Sequence, residues 1–530
     1  MPTTINLVFV HGWSVTNLDT YGQLPIRLKN ELAATGIDVT VRDIFLGRYI
    51  SFHDEVRLPD ISRAMEAAVR EQLADLLARS ERFVCITHST GGPVVRDWWQ
   101  RYYSGEAAGG GVVGAAGGLR PCPMSHLIML APANFGSALA QLGKGKISRL
   151  ASWFEKVEPG QGVLDWLELG SREAWELNTK WILNDSPPRG SIVGAAGTAG
   201  ASALTGGSFY PFVLIGQSID RKFYDHLNSY TGELGSDGVV RSAAANLNAT
   251  LITIRQAIDA QPGQGVTQKD PVIDTHKVTD KVFRIITGKS HSGDDMGIMS
   301  SVKADSTDTA SAGTVRSIIR CIQVQDDAAY DQLCRDFAQE TIDVQAAEKV
   351  EAVEGLFRSK RYFIHDRYCM VIFRVSDSEG YPVTDYDLIF TAGEKNDPNH
   401  LPEGFFSDRQ QNSRNKETVT YFVNYDILKG SPAVMDGNDT IREATEGIER
   451  LGLKVLPRPD SGFVRYLPLN LVANKDFFDK MVRGNATILI DICLERLVSR
   501  EVFRLEGPVT VMPDPDHGSF KDVKPGEACS

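Results

Sequence analysis

The chain has 530 residues, 42% of them hydrophobic, and a formal net charge of −12. That length buries large cores and predicts two or more domains, while the acidic balance argues against nucleic acid or a strongly anionic membrane as partner. Seven scattered cysteines lack metal spacing and point to a reduced, cytoplasmic life.

Residues 5–10 read as an apolar strand running straight into His11-Gly12-Trp13. The run is too short for a signal peptide and lacks a charged leader, so the expected alternative to the cytoplasm is export without a cleaved signal. A strand over 38–45 and a helix over 58–81, with Met65, Val69, Leu73 and Leu76 at helical spacing, begin a βα rhythm. The next apolar run, Phe83-Val84-Cys85-Ile86-Thr87-His88, ends at Ser89. Two glycines follow, then a helical segment, Pro93-Val94-Val95-Arg96-Asp97-Trp98-Trp99. Strand, serine, sharp turn and helix together hold a hydroxyl on a strained tip, open to substrate. Gly91 is expected where helix and strand come too close for a side chain. The usual pattern is G-x-S-x-G, and Thr87 stands in place of its first glycine. Read alone, the segment is equally a buried strand whose serine caps the next helix.

Other segments favour the first reading. Acyl transfer through a serine builds negative charge on the carbonyl oxygen and needs two fixed N–H donors. The amide of Thr90, after the serine, and that of Trp13, after Gly12, are the expected pair. Residues 105–118 are Gly/Ala-rich and read as a surface loop. The insertion from 134 to 208 is expected to form a cap over the site. It holds Trp153, Trp166, Trp175 and Trp181, expected to pack the cap onto the main domain, and a small-residue run over 192–204, expected as a lid that opens at a lipid surface. That run is too rich in glycine for a transmembrane helix. A strand over 210–215 precedes Ser236-Asp237-Gly238-Val239-Val240, and a strand-like run over 281–286 precedes His291-Ser292-Gly293. The chain order Ser89, Asp237, His291 places acid and base on loops after late strands. His291 would take the proton from Ser89, and Asp237 would fix the imidazole. Asp220 is the nearest competitor for the acid and His226 the fallback base, while Asp294 and Asp295 read as a solvated turn.

Over roughly the first 300 residues, Val10-His11-Gly12, His88-Ser89-Thr90-Gly91-Gly92, Ser236-Asp237-Gly238-Val239-Val240 and His291-Ser292-Gly293 resemble bacterial lipases and related α/β-hydrolases. Lecithin–cholesterol-acyltransferase-like enzymes and lipase effectors of contact-dependent secretion are similar in type. The resemblance implies an α/β-hydrolase doubly wound sheet with a cap insertion, and a serine carboxylester hydrolase acting on lipid or phospholipid acyl esters without metal or organic cofactor. Ala131-Pro132-Ala133-Asn134-Phe135-Gly136-Ser137 resembles the family's Thr-Pro-His-x-Gly-Ser turn, with Ala131 and Ala133 replacing Thr and His. The alternatives are an esterase or acyltransferase on soluble substrates, or an interaction protein with a vestigial hydrolase domain.

The expected domains are a catalytic one over 1–300, a linker and helical connector over 301–360, and a β-rich one over 361–530. In the connector, Leu333, Phe337, Ile342 and Val350 fall at inner helical positions. Beyond it, short alternating runs over 368–375, 386–390, 418–423, 463–467, 486–492 and 502–505 suggest an antiparallel, sandwich-like domain that touches lipid, docks a partner or covers the hydrolase.

Overall fold

The computed structural model describes residues 4–11, 21–50, 55–104, 122–141, 161–184, 209–219, 233–260, 266–354 and 360–498. Strands β1 (Thr4–His11), β2 (Asp38–Phe45), β3 (Phe83–His88), β4 (Met124–Leu130) and β5 (Tyr210–Ile215) lie parallel in one sheet. Strands β6 (Thr250–Ala260) and β7 (Val266–Lys277) leave it, and β8 (Val282–Ile285) returns to give the order β2-β1-β3-β4-β5-β8. The inner strands are nearly unbroken apolar runs because both faces are covered, and Leu7, Phe9, Cys85, Ile86, Ile128 and Val213 are all fully buried. Strand order reverses where β1 lies between β2 and β3, and a crevice opens beyond the carboxyl ends at such a point.

The covering helices include α1 (Leu24–Ala34), α2 (Leu58–Gln72) and α3 (Gly91–Tyr102). The helix expected over 58–81 is interrupted at Leu73 (φ −112°, ψ 20°), and a short helix, Ala74–Ala78, follows. Met65, Val69, Leu73 and Leu76 are nonetheless all buried. Two helices of the insertion, α4 (Gln161–Leu167) and α5 (Arg172–Leu183), precede α6 (Ala312–Ile322) and α7 (Asp327–Ala347).

The expected connector departs from its reading. Helix α6 packs on β4 and β5, and α7 on β8. The Tyr330 hydroxyl donates to the Pro211 carbonyl at 2.6 Å and accepts from the Val282 amide at 3.1 Å, tying β5 to β8. Helices α6 and α7 therefore form an outer layer of the first sheet, which reaches past residue 300. Leu333 and Phe337 are buried as expected, whereas Ile342 is 53% exposed.

His126 on β4 is enclosed by this layer. Its ring stacks on Phe212, and its Nε2 lies 3.0 Å from the Val324 carbonyl. Burial pushes its pKa down to about 4 from an ordinary 6.5. The unfolded chain therefore binds the proton first, and stability contributed above pH 6.5 drains away as the pH falls towards 4. The loss is expected to be on the order of 2–3 kcal/mol. Urea unfolding at pH 7 and pH 4.5 should show it, and His126→Gln should flatten the difference. An unchanged pH dependence in that variant would reject the assignment.

The second half continues with β9 (Tyr368–Asp377), β10 (Tyr386–Ala392), β11 (Phe406–Gln411), β12 (Thr418–Asn424), β13 (Arg450–Pro457), β14 (Leu469–Asn474) and β15 (Thr487–Leu494). A second six-stranded sheet runs β11-β12-β9-β15-β6-β7, and a three-stranded one runs β10-β13-β14. Two expectations are corrected here. The larger sheet is mixed, with β15 parallel to both neighbours, β9 and β6. Its β6 and β7 come from the segment assigned to the hydrolase. Alternation along a strand marks its two faces but says nothing of the direction of its partner. Of the run over 463–467 only Val464–Arg465 is a strand, and 502–505 lies outside the described residues.

The inner strands of the larger sheet are buried on both faces, whereas its edge strand β7 is exposed along most of its length. Tyr368, Met370, Ile372, Phe422 and Leu489 join the hydrolase core, while Cys369, Val371, Phe373, Tyr421 and Ile488 pack with Phe390, Leu453 and Val455 of the three-stranded sheet. Period-two alternation thus sorts one strand's side chains between two cores. Among the described residues no helix is long and apolar enough to cross a membrane.

Candidate active site

Ser89 follows β3 directly and has φ 53°, a left-handed conformation that costs a residue with a Cβ about 1–2 kcal/mol. Neighbouring backbone holds it there. The Ser89 amide donates to the Leu130 carbonyl at 3.0 Å, and the Ser89 carbonyl accepts from the Ala133 and Gly92 amides at 3.3 Å each. A Cβ at Gly91 would meet the Thr87 Cβ at 3.2 Å and the Val10 carbonyl oxygen at 3.7 Å, so its nearest neighbour is a side chain. The tighter approach is at Gly92, where a Cβ would lie 2.7 Å from the Pro132 Cβ. Gly92→Ala is expected to cost about 1–3 kcal/mol in urea unfolding, because neither the helix nor the proline turn has room to yield. A stability equal to wild type would mean that the turn relaxes freely.

The three residues singled out by chain order meet at this tip. His291 Nε2 is 3.1 Å from the Ser89 hydroxyl oxygen, and His291 Nδ1 is 3.0 Å from Asp237 Oδ2. His291 and Asp237 are fully buried, and Ser89 is 8% exposed. The Val239 and Val240 amides donate to Asp237 Oδ1 at 3.0 and 2.8 Å, leaving Oδ2 for the imidazole. With Nδ1–H donating to that carboxylate, Nε2 presents its lone pair to the serine, the tautomer a general base needs. The backbone adds a further tie, the His291 amide donating to the Asp237 carbonyl at 3.0 Å.

His88 lies beside them, its ring centroid 4.7 Å from that of His291 and its Nε2 3.1 Å from the His291 carbonyl oxygen. Burial and the neighbouring imidazole hold its pKa well below the ordinary histidine range. It therefore stays neutral beside His291. Thr90 caps α3, and no acceptor among the described residues takes its amide. Trp13, the other expected oxyanion donor, lies outside the described residues, as do Asp220 and His226. Asp294 and Asp295 sit in an exposed turn.

Of the cap, 134–141 and 161–184 are described, and Trp153, the Gly/Ala stretch over 192–204 and the loop over 105–118 fall outside. Trp166, Trp175 and Trp181 are buried, so none of the three faces lipid. Trp181 makes an edge contact with Trp99 of α3 at 5.5 Å and carries the Arg96 guanidinium over its ring at 4.3 Å. The cap also rests on the second sheet. The Ser413 amide and hydroxyl both donate to the Glu168 carboxylate at 2.6 Å, and Arg414 Nε is 2.8 Å from Asp165 Oδ2.

Two residues support the site from outside the triad, Ser137 of the turn that resembles the family's and Asn178, which had no sequence signal. The Ser137 hydroxyl donates to the Val239 carbonyl at 2.7 Å, binding the turn after β4 to the acid loop. Asn178 of α5 accepts from Arg96 at 2.9 Å and donates to the Asn134 carbonyl at 2.8 Å, joining the cap to the helix after Ser89. Pairings between residues so far apart leave no spacing to read.

No protein-family model and no curated protein sequence matches the chain. Among solved structures, phospholipase PlaB from Legionella pneumophila is 39% identical with a TM-score of 0.77, the match covering 97% of this chain and 97% of that one. The same phospholipase in complex with thio-NAD matches at 39% identity and TM-score 0.77, over 96% and 97% of the two chains. Staphylococcus hyicus lipase is far more distant, at 15% identity and TM-score 0.31 over 65% of this chain and 97% of that one.

Proposed function

This chain belongs, with phospholipase PlaB, to the bacterial lipase-like α/β-hydrolases, and from that membership we propose that it hydrolyses phospholipid acyl esters through an acyl-enzyme on Ser89. The observation that carries the reading is the continuous line of hydrogen-bonding distances from Ser89 through His291 to Asp237, all three buried.

In the proposed sequence, the Ser89 oxygen attacks the ester carbonyl carbon as His291 Nε2 takes the hydroxyl proton. The developing imidazolium faces the Asp237 carboxylate. Charge on the carbonyl oxygen is met by the Thr90 amide and by a second amide, which we assign to Trp13. Collapse of the tetrahedral species breaks the ester C–O bond, and the imidazolium returns its proton to the leaving alcohol. A water, deprotonated by the same nitrogen, then attacks the acyl-serine, releasing the fatty acid and restoring Ser89. Phospholipid rather than soluble ester is favoured by the name of the 39% identical relative and by the large insertion beside the site. We also propose that the second half of the chain contributes to contact with lipid or a protein partner.

The test is a chain-length series of nitrophenyl esters alongside phospholipid micelles. Turnover rising with acyl length and above the critical micelle concentration is expected. Preference for the shortest ester with no phospholipid cleavage would turn the reading to a soluble-ester esterase, and no turnover at all would reject the enzyme.

A further inference from the structure

The Asp237 loop does not stand on the hydrolase sheet alone. Arg241, four residues on, is 2% exposed, and its Nε and Nη2 donate to the Glu233 carboxylate at 2.8 and 2.7 Å. Nη2 also pairs with Asp408 of β11, on the second sheet. The guanidinium lies 4.2 Å over the Phe422 ring of β12, and Phe422 stacks on Tyr368 of β9 with centroids 4.6 Å apart. The guanidinium and the two stacked rings lie against the loop as one layered contact. A Cβ at Gly235 would lie 2.6 Å from Tyr368 Cδ2 and 3.3 Å from Phe422 Cζ, so only glycine lets the backbone settle there. On the far side of the loop, Thr487 of β15 donates to the Ala243 carbonyl at 2.7 Å, and Asn246 donates to the Asn485 carbonyl at 2.7 Å.

Resting on the triad reading above, we infer that the second sheet is the seat of the triad acid. Arg241 acts as a positioning residue whose ion pair with Asp408 fixes the Ser236–Arg241 bridge, and through it the Asp237 carboxylate, against His291. The energetics favour a positioning role. A guanidinium buried to this degree needs charged partners to be tolerated, and an apolar side chain over Phe422 would pack at least as well. What two carboxylates and a ring give instead is one fixed orientation. The side chain runs between the two halves of the chain, beside the one loop whose placement sets the imidazole. A shift of that loop by about 1 Å lengthens the Asp237–His291 contact beyond hydrogen-bonding range and is expected to cost on the order of 10–100-fold in rate.

The experiment is a double-mutant cycle on a soluble short-chain ester, which keeps lipid docking out of the measurement. Asp408→Asn is expected to lower kcat by about 10–100-fold with KM within about twofold, since a misplaced acid weakens proton transfer and leaves ground-state binding alone. In an Asp237→Asn background the same change is expected to cost nothing further, because the group it positions is gone. Asp408→Glu, which keeps the charge, should recover most of the rate. Equal losses in both backgrounds, or wild-type kcat in Asp408→Asn, would overturn the inference. Should Asp408→Asn fail to fold, Phe422→Leu, which removes the ring under the Arg241 guanidinium, carries the same cycle with Asp237→Asn. Full turnover by Ser89→Ala would topple the triad reading and this inference together. An inactive Ser89→Ala beside an additive cycle would topple this inference alone.

Discussion

Ser89→Ala is expected to lower ester turnover on the order of 10⁴–10⁶-fold while leaving the fold intact. The hydroxyl supplies the bond to the acyl group. Stability should barely change. Alanine keeps the Cβ, so the φ of 53° stays as strained as before, and the backbone bonds to Leu130, Ala133 and Gly92 do not involve the side chain. Ser89→Gly sharpens the test, since it relieves the left-handed strain but adds about 0.5–1 kcal/mol of unfolded-state entropy. Both variants should therefore melt close to wild type and both should be dead. Residual activity above a trace, in protein with an unchanged circular dichroism spectrum, would remove Ser89 from the mechanism.

That strain is also why the serine could be found in the sequence. A residue held in an unfavourable backbone region needs a strand before it, small residues after it and a helix to hold them, and each leaves a local mark: Phe83–His88, Gly91 and Gly92, then Pro93 to Trp99. Asp237 and His291, which the fold brings to Ser89, were legible for a weaker reason, their order after late strands. Thr87 in place of the usual glycine left the elbow intact. Its Cβ simply becomes the nearest neighbour of Gly91, at 3.2 Å.

The second half was legible as strands and not as a sheet. Runs such as Tyr368–Asp377 and Thr487–Leu494 announce themselves by alternation, but their parallel pairing depends on a crossover of more than a hundred residues, which leaves no local trace. For the same reason Thr250–Ala260 and Val266–Lys277 were read with the hydrolase, since they precede His291 in sequence yet extend the far edge of the other sheet. A helix such as Asp327–Ala347 shows its apolar stripe, and Leu333 and Phe337 lie on its buried side while Ile342 does not. Which surface the stripe covers is a tertiary fact, and the same stripe suits a connector or an outer layer. Arg241 was invisible because an arginine four residues after an Asp-Gly turn is ordinarily solvated. Only the packing of Phe422 and Asp408 beside it shows why it is buried.

His291→Ala is expected to fall within about tenfold of Ser89→Ala, because without the imidazole the hydroxyl is a poor nucleophile and the two residues act as a unit. The double variant Ser89→Ala/His291→Ala should then be no worse than either single one. Asp237→Asn should cost less, on the order of 10²–10⁴-fold. An amide can still bond to His291 Nδ1, but by donating its own N–H it selects the opposite tautomer and turns a proton towards Ser89. The effect should appear in kcat with KM for a soluble ester unchanged, since the carboxylate is buried beneath the ring. The Asp237 backbone contacts should hold the loop in place, because its amide and carbonyl bond to Val240 and His291 whatever the side chain. A clear loss of stability in urea unfolding alongside the loss of kcat would mean that the substitution has displaced the loop, not only the tautomer. Wild-type turnover in Asp237→Asn would return the acid's role to Asp220, and wild-type turnover in His291→Ala would return the base's role to His226.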